Sequence, residues 1–284
     1  MSPDLIHDQP ALSPASTVQK LLQSQEVELP VLPEVAVQLL KLTSDVDCDP
    51  KDIVDLFRRD QSLTGHLLKI ANSARYSSGQ TVTSIQQAVA RLGLLQVREV
   101  VVLVSCETRV FNVGGFEADV KQSFVRSMAT AAFAQEVARA RRLNVEDAFL
   151  CGLLHDVGRP VLLQLLSDYR TENQVQLTDE QIRQAADEFR IPLACRLVES
   201  WELPARLSTI IEHQNEPLAA GDCEQQAAIL NLGSDLAATA LDPDTELPAE
   251  LIHPMMDVLN LYPEDMAGVL AQSDSILEWV RSSS

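Results

Sequence analysis

The sequence is short of basic residues, of glycine and of paired cysteines, and each shortage removes a class of protein. Its 284 residues carry 22 Lys and Arg against 41 Asp and Glu, a formal net charge of −19. Duplex nucleic-acid binders draw most of their non-specific affinity from a basic face that neutralises phosphates, and polybasic attachment to a membrane surface needs the same charge. Both classes are disfavoured. Glycine occurs only 10 times, where an average chain of this length carries about 20, so few positions demand a positive φ and the composition leans towards helix. The five cysteines, Cys48, Cys106, Cys151, Cys195 and Cys223, are scattered singly without a C-x-x-C pair, which indicates neither a disulfide framework nor a zinc ribbon. Long apolar runs are missing too. The most apolar stretch, Val100 to Cys106, falls short of the ~18 residues of a membrane span. Met1 to Asp8 lacks the basic and apolar regions of a secretory signal. A cytoplasmic protein in a reducing compartment is expected. No G-x-x-x-x-G-K-[ST], G-x-G-x-x-G or G-x-S-x-G sequence occurs, so a phosphate-cradling glycine loop and a hydrolase nucleophile elbow have no support.

What the chain does have is 46% hydrophobic and 22% charged residues, the balance of a folded protein, arranged with a period of 3.6. Residues 1–15, with Pro3, Pro10 and Pro14, show no period and read as a flexible leader. Val35, Leu39 and Leu42 then share one helix face behind Pro33. Asp49-Pro50 offers a cap and a first-turn proline for a helix over 51–59 with Ile53, Leu56 and Phe57 inward. Leu63, Leu67, Ile70 and Ala74 form another face. Thr83 and Gln86 have capping-box spacing ahead of Ile85, Val89 and Leu92, and Gly93 stands where that helix should stop. Val100 to Val104 predicts a buried helix. Gly114-Gly115, the chain's Gly-Gly pair, marks the boundary between an N-terminal helical subdomain (16–114) and a second one (115–284). A long helix is expected over 117–142, with Phe124, Met128, Ala131, Gln135 and Ala138 on one face and Asn144 capping the next. Further helices are expected at 145–156, 160–167, 178–189 (capped by Thr178 and Gln181), 192–201, 204–213, 223–241 and 263–281. The fold class is all-α.

The candidate chemistry lies in Leu153 to Pro160, where an apolar helix delivers His155 and Asp156 at its last turn, with Gly158 free to turn left-handed and Pro160 to stop the helix. Imidazole beside carboxylate is a mixed N/O set suited to Mn, Fe or Zn. It is equally a pair that satisfies itself through neighbouring helix ends and Arg159. Cys151, close before it on an apolar helix, reads as core, and Arg139 to Arg142 as a solvated helix end. Asn72, Ser73 and Arg75 are polar at the end of an otherwise buried helix. They suit either a junction between the subdomains or a surface for a partner.

Several ordered motifs carry a resemblance. Leu29-Pro-x-Leu-Pro-Glu34, Asp60-Gln-Ser-Leu-Thr64, Leu68-Lys-Ile-Ala-Asn-Ser-Ala-Arg-Tyr76, Ser84-Ile-x-x-Ala-Val-x-x-Leu-Gly93 and Ala148-Phe-Leu-x-Gly-Leu-Leu-His-Asp156 together resemble the HDOD family of bacterial signalling domains, from about Leu29 to about Ala240. The resemblance implies a multi-helix bundle related to the HD metal-dependent phosphohydrolases. It also implies a protein that lacks the full catalytic set and acts through protein interactions in signal transduction. An HD hydrolase needs a further histidine on the preceding helix and an aspartate on a later one, since several fixed ligands are required to lower the pKa of a metal-bound water. By that resemblance the first position is Arg126, which cannot ligate a metal, and the last is Asp235. Arg126 is expected to pair with Asp156 or Asp235 where a metal would otherwise sit. His213 stands where related domains commonly show two consecutive histidines, followed here by Gln214. His66 and His253 read as surface or cap residues. There is no Gly-Tyr-Pro triplet, and five histidines are too few for a binuclear HD-GYP cluster.

Two functions from different classes therefore remain. The first is a non-catalytic signalling module with a remnant pocket of Arg126, His155, Asp156, Arg159, His213 and Asp235, no cofactor, and a protein partner in a bacterial pathway. The second is a phosphohydrolase or cyclic-di-nucleotide phosphodiesterase with a divalent transition metal on His155, Asp156 and Asp235. Beside these two stands a third possibility, nucleotide binding without hydrolysis in the same pocket.

Overall fold

The computed structural model describes residues 33–43, 49–73, 75–76, 79–110, 113–242, 244 and 249–283. The expected leader at 1–15, the Leu29 to Leu32 part of the first motif, Ala74, and the cysteine at position 48 lie outside the described residues. Every regular element within them is helical. Three short helices, α1 (Glu34–Thr43), α2 (Pro50–Phe57) and α3 (Gln61–Ala71), pack against the long α4 (Ile85–Val110). Asp49 caps α2 by accepting from the Lys51 amide, and Asp60 caps α3 by accepting from that of Leu63. Ile53, Phe57 and Leu67 are fully buried, as their periodicity predicts. The cap of α4 differs from the expected box. Ser84 accepts from the Gln87 amide, while Gln87 returns to the Thr83 amide, so the pairing is one residue further on. Gly93 stands where expected, because α4 is two helical stretches joined across it: its backbone is non-helical at φ 77° and ψ 171°, a geometry that glycine adopts at no steric cost. Beyond it Val100 to Val104 are buried helix, as expected.

After the Gly114-Gly115 turn comes α5 (Glu117–Arg141), which is flanked by α6 (Val145–Leu154) and α10 (Glu224–Leu241). The sequence marks one apolar face of α5, but Ala132, Phe133 and Ala134 are also fully buried. Alanines on the remaining faces let neighbouring backbones come close. A Cβ placed on Gly152 of α6 would lie 2.4 Å from the Ala131 Cα, so only glycine fits that crossing. Asn144 caps α6 through the Glu146 and Asp147 amides, and Arg142 ends α5 in a left-handed conformation at φ 55°.

The later helices depart from expectation in three places. Gly158 does not end a helix in a left-handed turn. It opens α7 (Gly158–Glu172), and its missing Cβ is needed because one would lie 2.0 Å from the Arg190 carbonyl of α8 (Asp179–Ser200). Pro160 accordingly sits in the first turn of α7, where its absent N–H has no intrahelical duty. The expected helices at 178–189 and 192–201 are one, running through Pro192 behind the Thr178–Gln181 capping box. α9 (Ala205–Glu212) packs on α8. The last correction is at the C-terminus, where α11 (Ala249–Leu259) was not foreseen and 263–281 divides into α12 (Pro263–Leu270) and α13 (Ser273–Ser283). α11 packs on α10, and α12 and α13 on α5. Val145–Glu172 has the length and apolarity of a membrane span, but 83% of its 18-residue apolar window is buried inside the bundle, and a turn at 155–157 divides the span.

Candidate functional site

His155 follows α6 directly, and Asp156 begins the turn into α7, so the backbone changes direction under the pair. Both are buried, at 2% and 6% exposure. The His155 Nδ1 stands 2.8 Å from the Gly152 carbonyl. A carbonyl only accepts, so Nδ1 carries the proton and Nε2 is the unprotonated nitrogen of the neutral ring. Burial pulls the imidazole below its ordinary range against the opposing charge of Asp156, and Arg126 and Arg190 add to the lowering. The imidazole is therefore neutral at pH 7.

Asp156 is neutralised from an unexpected direction. Its carboxylate takes Nη1 of Arg190, on α8, at 3.3 Å, so the expected Arg126–Asp156 pair is replaced. Arg126 is exposed on α5, and among the described residues it makes no ion pair. Its charge still reaches Asp235 on α10, whose carboxyl is raised by burial and lowered in part by Arg126. Arg159 feels the charge of Asp156 but forms its side-chain bonds elsewhere. It bonds Asp187 at 2.6 Å, the Ser123 hydroxyl at 3.1 Å and Asp119 at 3.3 Å, and Arg183 also donates to Asp119. His213, at the end of α9, is satisfied locally by the Thr209 carbonyl at 2.9 Å.

Its neighbour Gln214 is the residue that reaches the pocket. Buried at 5% exposure, it donates to the His155 carbonyl at 3.3 Å, while its own carbonyl accepts from Asn231 of α10. Sequence reasoning marked Gln214 only as a replaced histidine and missed Arg190. An arginine 34 residues from its partner leaves no local signature. Among the described residues no three His, Cys, Asp or Glu side chains stand together to hold a metal ion. His155 has the tautomer a ligand needs, but Asp156 is taken by a guanidinium, and Asp235 does not complete a set. The residues present do not fit a metal centre.

The polar segment after α3 is tied inward. Asn72 clamps Val82, donating to its carbonyl at 2.8 Å and accepting from its amide at 2.7 Å. Ser73 is satisfied by the Ile70 carbonyl. Arg75 crosses to α5, donating to Gln135 at 2.5 Å and Glu136 at 3.2 Å, and its guanidinium lies 5.6 Å from the Trp279 ring of α13. Behind it Gln135 donates to Glu99 of α4 at 2.9 Å. Burial pushes the Glu99 carboxyl up to about 8, and among the described residues its Oε2 has no hydrogen-bond partner.

The HDOD domain family matches residues 29–217, which is most of the chain and includes the His155–Asp156 pair. The chain belongs to the HDOD domain family. Its HDOD match ends before Asp235, so the last expected pocket residue lies outside it. A protein of Shewanella amazonensis SB2B, provisionally named a metal-dependent phosphohydrolase, superposes with a TM-score of 0.73 at 21% identity, covering 95% of this chain and 98% of that one. A provisionally named signal transduction protein of Marinobacter aquaeolei VT8 gives 0.65 at 22%, covering 96% of this chain and 65% of that one. An uncharacterized protein of Treponema pallidum is 28% identical over 204 residues, 68% of this chain, and the match spans 39% of that relative's length. At these identities the structural likeness is one of fold.

Proposed function

We propose that this HDOD protein is a non-catalytic bacterial signal-transduction module that works by binding another protein, its His-Asp pocket serving the bundle rather than turnover. The observation that carries the proposal is the Arg190–Asp156 pair. A guanidinium bonded to the carboxylate supplies the positive charge that a metal would otherwise bring, and Gln214 bonds the backbone of the adjacent histidine. The pocket thereby joins α6, α8, α9 and α10. The Marinobacter relative's name supports signalling, and the acidic surface favours a partner with a basic or apolar face.

The competing function is a metal-dependent phosphohydrolase, in keeping with the Shewanella relative's name and the unprotonated Nε2 of His155. Metal analysis separates the two. After equilibration with Mn2+ or Zn2+ and desalting, the purified protein is expected to retain no stoichiometric metal. One equivalent that is lost in His155→Ala would overturn the proposal. Affinity capture from the source bacterium, comparing wild type with a surface-charge variant, tests the partner directly.

A further inference from the structure

A polar cavity of about 330 Å3 opens where the segment after α3, the helices α4 and α5, and the start of α13 meet, and Arg75, Gln96, Glu136, Arg139, Gln272 and Ser275 line it. That is the small end of the range for ligand sites. Two guanidiniums face one carboxylate, so the lining carries a net positive charge within a chain of net charge −19. The next acid inward, Glu99, does not cancel that charge. It is 3% exposed and held largely protonated near neutral pH, with Gln135 between it and Arg75.

We propose that this cavity binds a compact oxyanion, the phosphate group of a monoester or a carboxylate, between Arg75 and Arg139. Arg75 is the fixed half of the site. Its side chain is 10% exposed, stacked near Trp279 and bonded through Nη2 to Gln135 and Glu136. Arg139 is the adjustable half, 54% exposed and held by Glu136 through Nη1. A guanidinium has five N–H donors, so both arginines keep further donors for an anion, and Gln96, Gln272 and Ser275 add neutral ones. An adjoining groove shares Arg139 but carries Glu264 and Asp265, which repel a long polyanion and limit the ligand to a compact one. Because the walls come from α4, α5 and α13, an anion here strengthens the packing of the first helical block and the C-terminal helix on α5. This cavity shares none of its lining residues with the His-Asp pocket, and its assignment stands independently of the function proposed for that pocket.

Calorimetric titration of the full chain with sulfate and with malonate, at constant ionic strength against a chloride reference, tests the assignment. A saturable one-site isotherm is expected with at least one of them, weakened about tenfold in Arg139→Ala, whose exposed position leaves the fold intact by circular dichroism. Sulfate alone assigns a phosphate-type ligand and malonate alone a carboxylate. The sulfate charge is constant between pH 7 and 9, so affinity should fall across that range as Glu99 ionises under Arg75, Arg139, Glu146 and Tyr76, the charged and titratable groups around it. Glu99→Gln should flatten the fall. No saturable binding of either anion, or equal affinity in wild type and Arg139→Ala, would overturn the proposal. An unchanged pH profile in Glu99→Gln would remove Glu99 from it.

Discussion

Asp156 has 8% of its side chain exposed, and its ion pair comes from an arginine that is itself 25% exposed. Removing Arg190 therefore strands a nearly buried carboxylate without removing much buried surface. Arg190→Ala is expected to lower stability by about 1–3 kcal/mol, discounted for the arginine's partial exposure, and Asp156→Asn added to it should restore part of the loss. Chemical denaturation of the two variants measures both numbers. Glu99 makes the opposite case, an acid whose folded state prefers the proton. Its carboxyl is raised to about 8, above its unfolded value, so between about pH 4.5 and 8 the folded protein binds more protons than the unfolded one. Stability is then greatest below that window and falls through it, by up to about 1.4 kcal/mol per pH unit. Denaturation midpoints from pH 5 to 8 should decline in wild type and lose that component in Glu99→Gln. Of these residues only Asp156 was visible in the sequence, because it sits in a dipeptide. Arg190 and Glu99 gain their roles from neighbours many residues away, and no local spacing announces them.

Helices announce themselves by caps and periods, and most here were legible for that reason. Asp49, Asn144 and Thr178 cap as read, and Val100 to Val104 is helix rather than strand. Two of the failures came from treating proline and glycine as stops. Gly158 is where α7 touches the backbone of α8, and Pro160 sits in a first turn, so both begin a helix. Pro192 lies inside α8 and Pro254 inside α11, both exposed, and neither ends its helix. Close approach also makes Gly152, like Gly158, a sensitive position of the bundle. Gly152→Ala would force α6 away from Ala131 of α5, shifting the floor beneath His155. A loss of about 1–3 kcal/mol is expected, read as a lower denaturation midpoint. Ser at the same place should cost at least as much, whereas Gly79→Ala, with nothing within 4 Å of the added Cβ, should show only its local φ strain.

Among the described residues several of the scarce cations tie separate elements together. Arg98 pairs with Glu146, Arg159 and Arg183 with Asp119, Arg190 with Asp156, and Arg206 with Asp147 at 2.6 Å, each joining separate elements. Each pair takes an acid with its cation, so the surface keeps nearly all of the net charge of −19, and its self-repulsion opposes the compact state. Raising NaCl from a few millimolar to 0.3 M should therefore raise the thermal midpoint, because surface repulsion is screened more than these half-buried pairs. A falling midpoint would mean that the pairs dominate. The same acidity disfavours phosphate-rich macromolecules at the His-Asp pocket, whose guanidinium Arg190 is already bound to Asp156. The most direct test of the non-catalytic function is the rate of bis(p-nitrophenyl) phosphate hydrolysis with Mn2+ and with EDTA, for wild type and His155→Ala. Equal background rates in all four conditions are expected. Turnover that requires Mn2+ and disappears in His155→Ala would contradict the account.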